Sequence, residues 1–314
     1  MAADPAAAQL VLAEAPWRVV VDAEWGFGRL DPLPAVDEVD AFYESGYRDL
    51  LGRSRRGPDL TRLLRDDAES RRERAWLAAT LHLDITDALA STLRPDAPRT
   101  VLDVGCGTGD LVGALAAAGW SAEGTEPATQ IAAVGQRAGL AIECTTATAY
   151  LDAWESSRRP RFGAVTLLNV LEHLPDPVGL LRRVAGVLTR GGVIVVRVPN
   201  DFNPLQRAAL ALLGGTPWWI VAPDHINYFS HGSLRALVER LGYEVVEQSA
   251  DYPMELFLLS GYDYRNQPAV GSEAHGRRRT MEMALDTPTR RALGRAWALA
   301  DVGRNAFLVA RWPG

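Results

Sequence analysis

The chain of 314 residues has a formal net charge of −6 and 33 basic side chains, every one of them arginine. Without lysine there can be no Schiff base to a carbonyl substrate or to pyridoxal phosphate, no lysine-bearing phosphate loop and no lysine base. A content of 47% hydrophobic and 23% charged residues is that of a globular protein, the acid excess argues against a nucleic-acid binder, and Cys106 and Cys144 are too few for a disulfide framework or a thiolate zinc site.

Residues 1–16 carry acids and no basic flank, so they read as a disordered tail rather than a secretory signal, and a cytoplasmic location is expected. Residues 17–98 are expected to form a helical lid. Between Arg48 and Arg74 lie nine arginines and six acids, which read as a solvated face, an RNA-binding arm being the sharper alternative.

Residues 99–250 then alternate short apolar runs with helical stretches. Strands are expected at Thr100 to Val104, Trp120 to Thr125, Leu140 to Cys144, Phe162 to Leu168 and Val193 to Val198. Helices are expected at Asp110 to Ala118, Pro127 to Ala138 and Asp176 to Leu188, the last ended by Gly191 and Gly192. Strands apolar on both faces and separated by helices indicate a doubly wound, Rossmann-like α/β sheet. A cover insert is expected at 200–232. Its apolar run from Ala208 to Val221 is broken by Gly214, Gly215 and Pro217 and is shorter than the roughly 20 residues of a membrane span. A helix at Ser233 to Leu241 leads to a strand at Tyr243 to Glu247. Residues 251–304 read as a second cover segment and 305–314 as the final strand.

The segment VLDVGCGTGDL places Gly105, Gly107 and Gly109 between a strand and a helix start, where glycine lets a ligand approach the main chain and free N–H groups receive an anion. The next strand ends in Gly124-Thr125-Glu126, a carboxylate 21 positions beyond Gly105, where a ribose diol would be held. The turn departs from the dinucleotide pattern at Asp110, whose carboxylate would repel a diphosphate. Asp103, just before the turn, suits a ligand with an ammonium group. S-adenosylmethionine is such a ligand.

The segments VLDVGCGTGDL, GTEP, FGAVTLLNVLEHLPDP and VLTRGGVIVVRVPN resemble, in order and spacing, the motifs of class I S-adenosylmethionine-dependent methyltransferases, over about half the chain. The resemblance, strongest to bacterial enzymes acting on sugars and specialised metabolites, implies a seven-stranded sheet whose last strand is antiparallel, with Asn305 to Arg311 as that strand. It implies that Gly105, Gly107 and Gly109 line the methionine part of the cofactor, that Asp103 holds its amino end and Glu126 its ribose, that Thr146 and Ala147 contact the adenine, and that Asn169 faces the sulfonium. Tyr43 and Tyr47 resemble a lid closing over the sulfonium, with core packing as the rival reading.

Methyl transfer from a sulfonium needs alignment above all, with a base for a hydroxyl acceptor. His225, in Trp218 to Phe229, is the first choice for that base, assisted by Asp224 or Tyr228; His173, in Leu171-Glu172-His173-Leu174, is a second with a structural role as its alternative. No metal ligand set is expected. Partners reduce to a small-molecule acceptor, with neither nucleic acid nor membrane and a homodimer as the default. Two other readings remain open: transfer or cyclisation of the cofactor's aminocarboxypropyl group, and a non-catalytic scaffold with a degenerate pocket. Arginines 277–279 are expected on a solvated face or facing an anionic substrate.

Overall fold

The computed structural model describes residues 10–11, 17–34, 63–64, 67–157, 159–265 and 267–314. Two strands, β1 (Leu10–Val11) and β2 (Arg18–Val21), run antiparallel, and β3 (Gly28–Asp31) pairs with β2. The expectation of helix from residue 17 and of a loose tail through residue 16 is therefore corrected over these stretches. The run Val19-Val20-Val21 is β-branched and stiff at χ1, which favours a pleated surface.

Helix α1 (Ala68–Leu77) starts at an Asp67 cap, whose side chain accepts from the Ser70 N–H, and passes through a single π turn (Ala78–His82) into α2 (Leu83–Thr92). There follow β4 (Thr100–Val104), α3 (Asp110–Ala117), β5 (Ser121–Thr125), α4 (Thr129–Arg137), β6 (Ile142–Glu143) and α5 (Ala147–Glu155). Next come β7 (Phe162–Leu168), α6 (Pro177–Val187), β8 (Leu188–Pro199), α7 (Pro204–Leu213), β9 (Asn227–Tyr228) and α8 (His231–Arg240). The chain closes with β10 (Glu244–Ala250), α9 (Glu255–Leu259), α10 (Pro268–Ala284), α11 (Thr287–Leu299) and β11 (Asn305–Arg311).

Among the described residues the main sheet has seven strands in the order β10-β11-β8-β7-β4-β5-β6. Strands β4 to β8 are parallel, and β11 is antiparallel to both β8 and β10. This is a doubly wound, Rossmann-like sheet of seven strands with β11 antiparallel, as the resemblance implies. The order reverses at β4, which pairs with β5 on one side and β7 on the other, so a crevice opens beyond the carboxyl ends of these strands. One face of the sheet is filled by residues such as Leu151, Leu167, Val184 and Leu237, the other by Leu89, Leu115, Val195 and Phe307.

Two local expectations change. Gly191 and Gly192 do not end α6; that helix stops where Leu188 turns extended, and both glycines lie inside β8, where an added Cβ on Gly192 would come within 3.1 Å of the Gly163 carbonyl. The strand expected from Leu140 shrinks to Ile142–Glu143 at the sheet edge.

Arginine forks join the cover segments to the sheet. The Asp251 carboxylate accepts from Arg197 (3.1 Å), Arg278 (2.9 Å), and both the backbone N–H (2.8 Å) and side-chain amide (2.7 Å) of Asn305. Arg278 also donates to Glu282 (3.0 Å), whose other oxygen accepts from the Trp76 indole (2.7 Å). Arg279 bridges Glu69 and Glu73, and Arg290 and Arg291 converge on Asp84. Thus Arg278, 4% exposed, is neither solvated nor available to a substrate. Glu69 and Glu73 of α1 and Asp84 and Asp87 of α2 are thus partners of the C-terminal cover.

Burial disfavours the Asp251 charge, but Arg278 and Arg197 outweigh it and hold the carboxyl well below its usual range. Its contribution to stability is therefore complete above about pH 4–5 and is lost as pH falls toward the folded-state pKa. Asp251→Ala leaves two guanidiniums without their shared acceptor and is expected to cost about 3–5 kcal/mol. Urea unfolding at neutral pH checks the value, and the same variant is expected to lose the acid-induced decline that Asp251 contributes.

Candidate active site

The turn after β4 is shaped by its glycines. Gly105, Gly107 and Gly109 have φ of 68°, 57° and 80°. A Cβ at Gly105 would lie 2.8 Å from Val170 Cγ2, and one at Gly109 would lie 2.5 Å from Ile142 Cδ1, so side chains are excluded by contact as well as by backbone conformation. Gly109 caps α3, whose first-turn N–H groups point back toward the crevice. The Asp110 carboxylate is engaged by the Thr108 hydroxyl and by Arg74 Nε at 2.9 Å, which ties this turn to α1.

Glu126 follows β5 and reaches across to the glycine turn. Its Oε2 accepts from Gly107 N–H (3.1 Å) and its Oε1 from Ala128 N–H (2.9 Å). Because a carboxylate offers about four lone-pair directions, two remain for a diol. Burial raises its pKa, and the two N–H bonds work against that rise. Asp103, 3% exposed at the end of β4, accepts from the Thr166 hydroxyl at 2.6 Å. Burial pushes its carboxyl up to about 7, with the Thr166 bond opposing and the Glu126 charge adding to the rise. A cation beside Asp103 would restore its ionised form. The Cys106 thiol within the turn is pushed up by burial and by the charges of Asp103 and Glu126, so it is no thiolate nucleophile.

Asn169 at the end of β7 has φ of 58°, and its side chain donates to Glu172 Oε1 (2.9 Å) while accepting from Arg197. Through Arg197 it is joined to Asp251. Thr146 caps α5, its hydroxyl accepting from the Ala149 N–H at 3.2 Å, and Ala147 packs against the core. Tyr43 and Tyr47 lie outside the described residues.

A 3₁₀ turn, Leu171–His173, brings Glu172 and His173 against the 224–228 segment. His173 Nδ1 donates to the Asp224 carbonyl (2.9 Å) and lies 3.3 Å from Asp224 Oδ1. Burial works against its charge, but the Asp224 bond and the Glu172 carboxylate prevail and raise its pKa to about 9, which unsuits it to act as a base near neutral pH. His225 meets His173 edge to face, with ring centroids 4.9 Å apart, and its Nε2 lies 3.9 Å from Asp224 Oδ2. Tyr228 is 2% exposed and its hydroxyl donates to the His225 carbonyl at 3.0 Å, a brace for the segment. Sequence reasoning did not single out Glu172, Thr166 or Arg197. Thr166 within FGAVTLL and Arg197 within VIVVRV carry the signal of a polar side chain inside an otherwise apolar run, whereas Glu172, next to His173, carries none.

Residues 70–248 match the sequence profile of a family described as "Methyltransferase domain". The chain belongs to this methyltransferase family. It is similar to the ubiquinone biosynthesis O-methyltransferase of Alkalilimnicola ehrlichii, 34% identical over 37% of this chain and 47% of that one. It is also similar to the trans-aconitate 2-methyltransferase of Methylobacterium radiotolerans, 33% identical over 39% and 47% of the two chains. The methyltransferase chain spans about half the length of these curated relatives. In fold it is similar to a SAM-dependent methyltransferase from Archaeoglobus fulgidus, with a TM-score of 0.50, 17% identity, and 76% and 94% of the two chains covered. No helix among the described residues is long and apolar enough to cross a membrane.

A cavity of about 280 Å³ lies between α2, α10, α11 and the β10–β11 edge. Its charged lining residues Arg278, Asp251, Asp84 and Arg291 pair with one another or with neighbouring side chains, so it reads as a gap between cover helices rather than as a second site.

Because Asp103 takes up a proton near pH 7 when no cation faces it, calorimetry is expected to find S-adenosylmethionine binding strengthening as pH rises through about 7. Below that point affinity is expected to fall by about tenfold per pH unit. Asp103→Asn is expected to bind weakly at every pH and to remove the dependence.

Proposed function

We infer that the protein transfers the methyl group of S-adenosylmethionine to a small-molecule acceptor of bacterial metabolism, and that it does so in the cytoplasm. The observation that carries the reading is the pair of buried carboxylates, Asp103 and Glu126, flanking a left-handed glycine turn at the carboxyl ends of adjacent parallel strands. Asp103 is placed for the ammonium of the cofactor's methionine moiety. The ribose hydroxyls fall to Glu126, which the Gly107 and Ala128 N–H groups hold in position. Asn169, locked between Glu172 and Arg197, presents the end of β7 to the sulfonium, and Thr146 and Ala147 flank the adenine.

The acceptor faces His173, His225 and the 218–228 segment. The chain's own residues supply orientation. Tyr228 braces the His225 backbone, Asp224 aims His173, and the crossing imidazoles form one wall of the acceptor pocket. The relatives this chain is similar to are named for ubiquinone biosynthesis and for trans-aconitate, and an oxygen acceptor, in primary or specialised metabolism, is the class these names favour.

Incubation of the protein with S-adenosylmethionine and a panel of hydroxylated and carboxylated metabolites is expected to yield S-adenosylhomocysteine together with a product heavier by one methylene. Methylthioadenosine in its place would overturn the methyl-transfer reading. Glu126→Ala, which removes a charged acceptor of ribose hydrogen bonds, is expected to weaken cofactor binding roughly 10- to 100-fold. His225→Ala is expected to lower kcat while leaving cofactor affinity within about twofold, because the side chain belongs to the acceptor wall.

A further inference from the structure

Glu172, His173 and His225 each present a ligand atom, and these three atoms lie within 4.8 Å of one another. Two are imidazole nitrogens and one is a carboxylate oxygen. His173 Nε2 is 3.8 Å from Glu172 Oε1. Donors bound to one transition-metal ion at about 2.1 Å sit roughly 3.0–3.4 Å apart, so rotations of a few tenths of an ångström to about an ångström close the set.

Two further features point to a cation. Glu172 is 1% exposed, and while its Oε1 accepts from Asn169, its Oε2 is buried with no hydrogen-bond partner, a costly arrangement for a carboxyl oxygen. The Nδ1–H of His173 is given to the Asp224 carbonyl, which fixes the ring with Nε2 toward Glu172. Such an outer bond to carbonyl or carboxylate is the usual companion of a metal-bound imidazole. Asp224, with Oδ2 3.9 Å from His225 Nε2, adds a second buried negative charge beside the group.

We propose that Glu172, His173 and His225 bind a single divalent transition-metal cation, and that this ion holds the oxygen of the methyl acceptor. The second half of the proposal rests on the methyl-transfer reading above. Two imidazoles and a carboxylate on one side of an ion leave positions open on the other, and the ligand set suits zinc, iron(II), cobalt(II) or manganese(II) rather than calcium.

Asn169 joins this group to the cofactor cradle, since its amide donates to Glu172 Oε1 at 2.9 Å. An acceptor hydroxyl on the ion loses its proton to water at lower pH than it would in solution. The resulting oxyanion forms the new O–C bond to the methyl carbon. The C–S bond breaks, and its electron pair stays on sulfur as the sulfonium becomes a neutral thioether. The acceptor class is therefore a hydroxylated compound, and one with a second oxygen placed to chelate is favoured.

The test is a titration of untagged, EDTA-treated full-length protein with cobalt(II), followed by the visible absorption of the bound ion and by calorimetry. One ion per chain with micromolar or tighter affinity is expected. Glu172→Gln and His225→Ala, each checked for folding by thermal unfolding, are expected to weaken cobalt binding by at least about tenfold while S-adenosylmethionine affinity stays within about twofold. Failure of cobalt, zinc and manganese to bind below millimolar concentration overturns the proposal, as does binding that both variants leave unchanged. If the ion binds and S-adenosylmethionine does not, the cation site stands and the methyl-transfer reading falls. If the cofactor binds and the ion does not, the reverse holds.

Discussion

The shared acceptance of two guanidiniums by one partly buried carboxylate organises this molecule. Asp251, at the end of β10, receives Arg197 from β8 and Arg278 from α10, and also bonds the start of β11 through Asn305. Three strand ends and a cover helix are thereby fixed at the same edge of the sheet that carries the glycine turn. Arg197 passes the constraint on to Asn169, and Arg278 passes it through Glu282 to Trp76 of α1. An arginine can serve two acceptors at once because its planar fork carries five donors, whereas a lysine ammonium is a compact point charge on a flexible stem. The absence of lysine, which first excludes several chemistries, also describes how this protein is held together.

The crevice has an electrostatic character of its own. Asp103, Glu126, Glu172 and Asp224 are all buried near the carboxyl ends of β4, β5 and β7; His173 lies beside Glu172 and Asp224, His225 lies beside Asp224, and Arg197 acts on Glu172 through space. Buried carboxylates without full compensation raise one another's pKa and favour positively charged ligands. A sulfonium, an ammonium and a divalent ion are three ligands of that sign, and the carboxylates are spread to face them separately. Specificity for a cationic cofactor follows from the placement of these groups and needs no charged surface, in keeping with a chain whose net charge is only −6.

The alternating strands and helices from Thr100 to Val198, the terminal antiparallel strand and the glycine turn were legible because each rests on local rules: two-sided apolar strands, helix starts, and glycines ahead of a helix. The sequence could not reveal that Gly191 and Gly192 lie inside β8, because the neighbours that exclude a side chain there, Arg94 at Gly191 and the Gly163 carbonyl at Gly192, are distant in the chain. Nor could it reveal the strands at 18–31, which are short and complete their sheet only with β9, two hundred residues later. Arginines 278 and 279 read as exposed because a charge run is exposed by default; their partners Glu73 and Asp251 come from two segments distant in the chain, and only Glu282 is local, one turn on in the same helix. In the site, Asp103 and Glu126 could be assigned from their position relative to the turn. Glu172 could not, since its importance lies in an orphaned oxygen beside two imidazoles that only the folded chain brings together.

The central claim is that the glycine turn and its two carboxylates form the cofactor cradle. An experimental structure of the protein with S-adenosylhomocysteine tests it most directly. The account predicts the ribose hydroxyls on the Glu126 carboxylate, the amino group within reach of Asp103 and the sulfur facing Asn169. A cofactor seated elsewhere, such as in the cavity between α2, α10 and α11, or one that leaves Glu126 untouched, would contradict it.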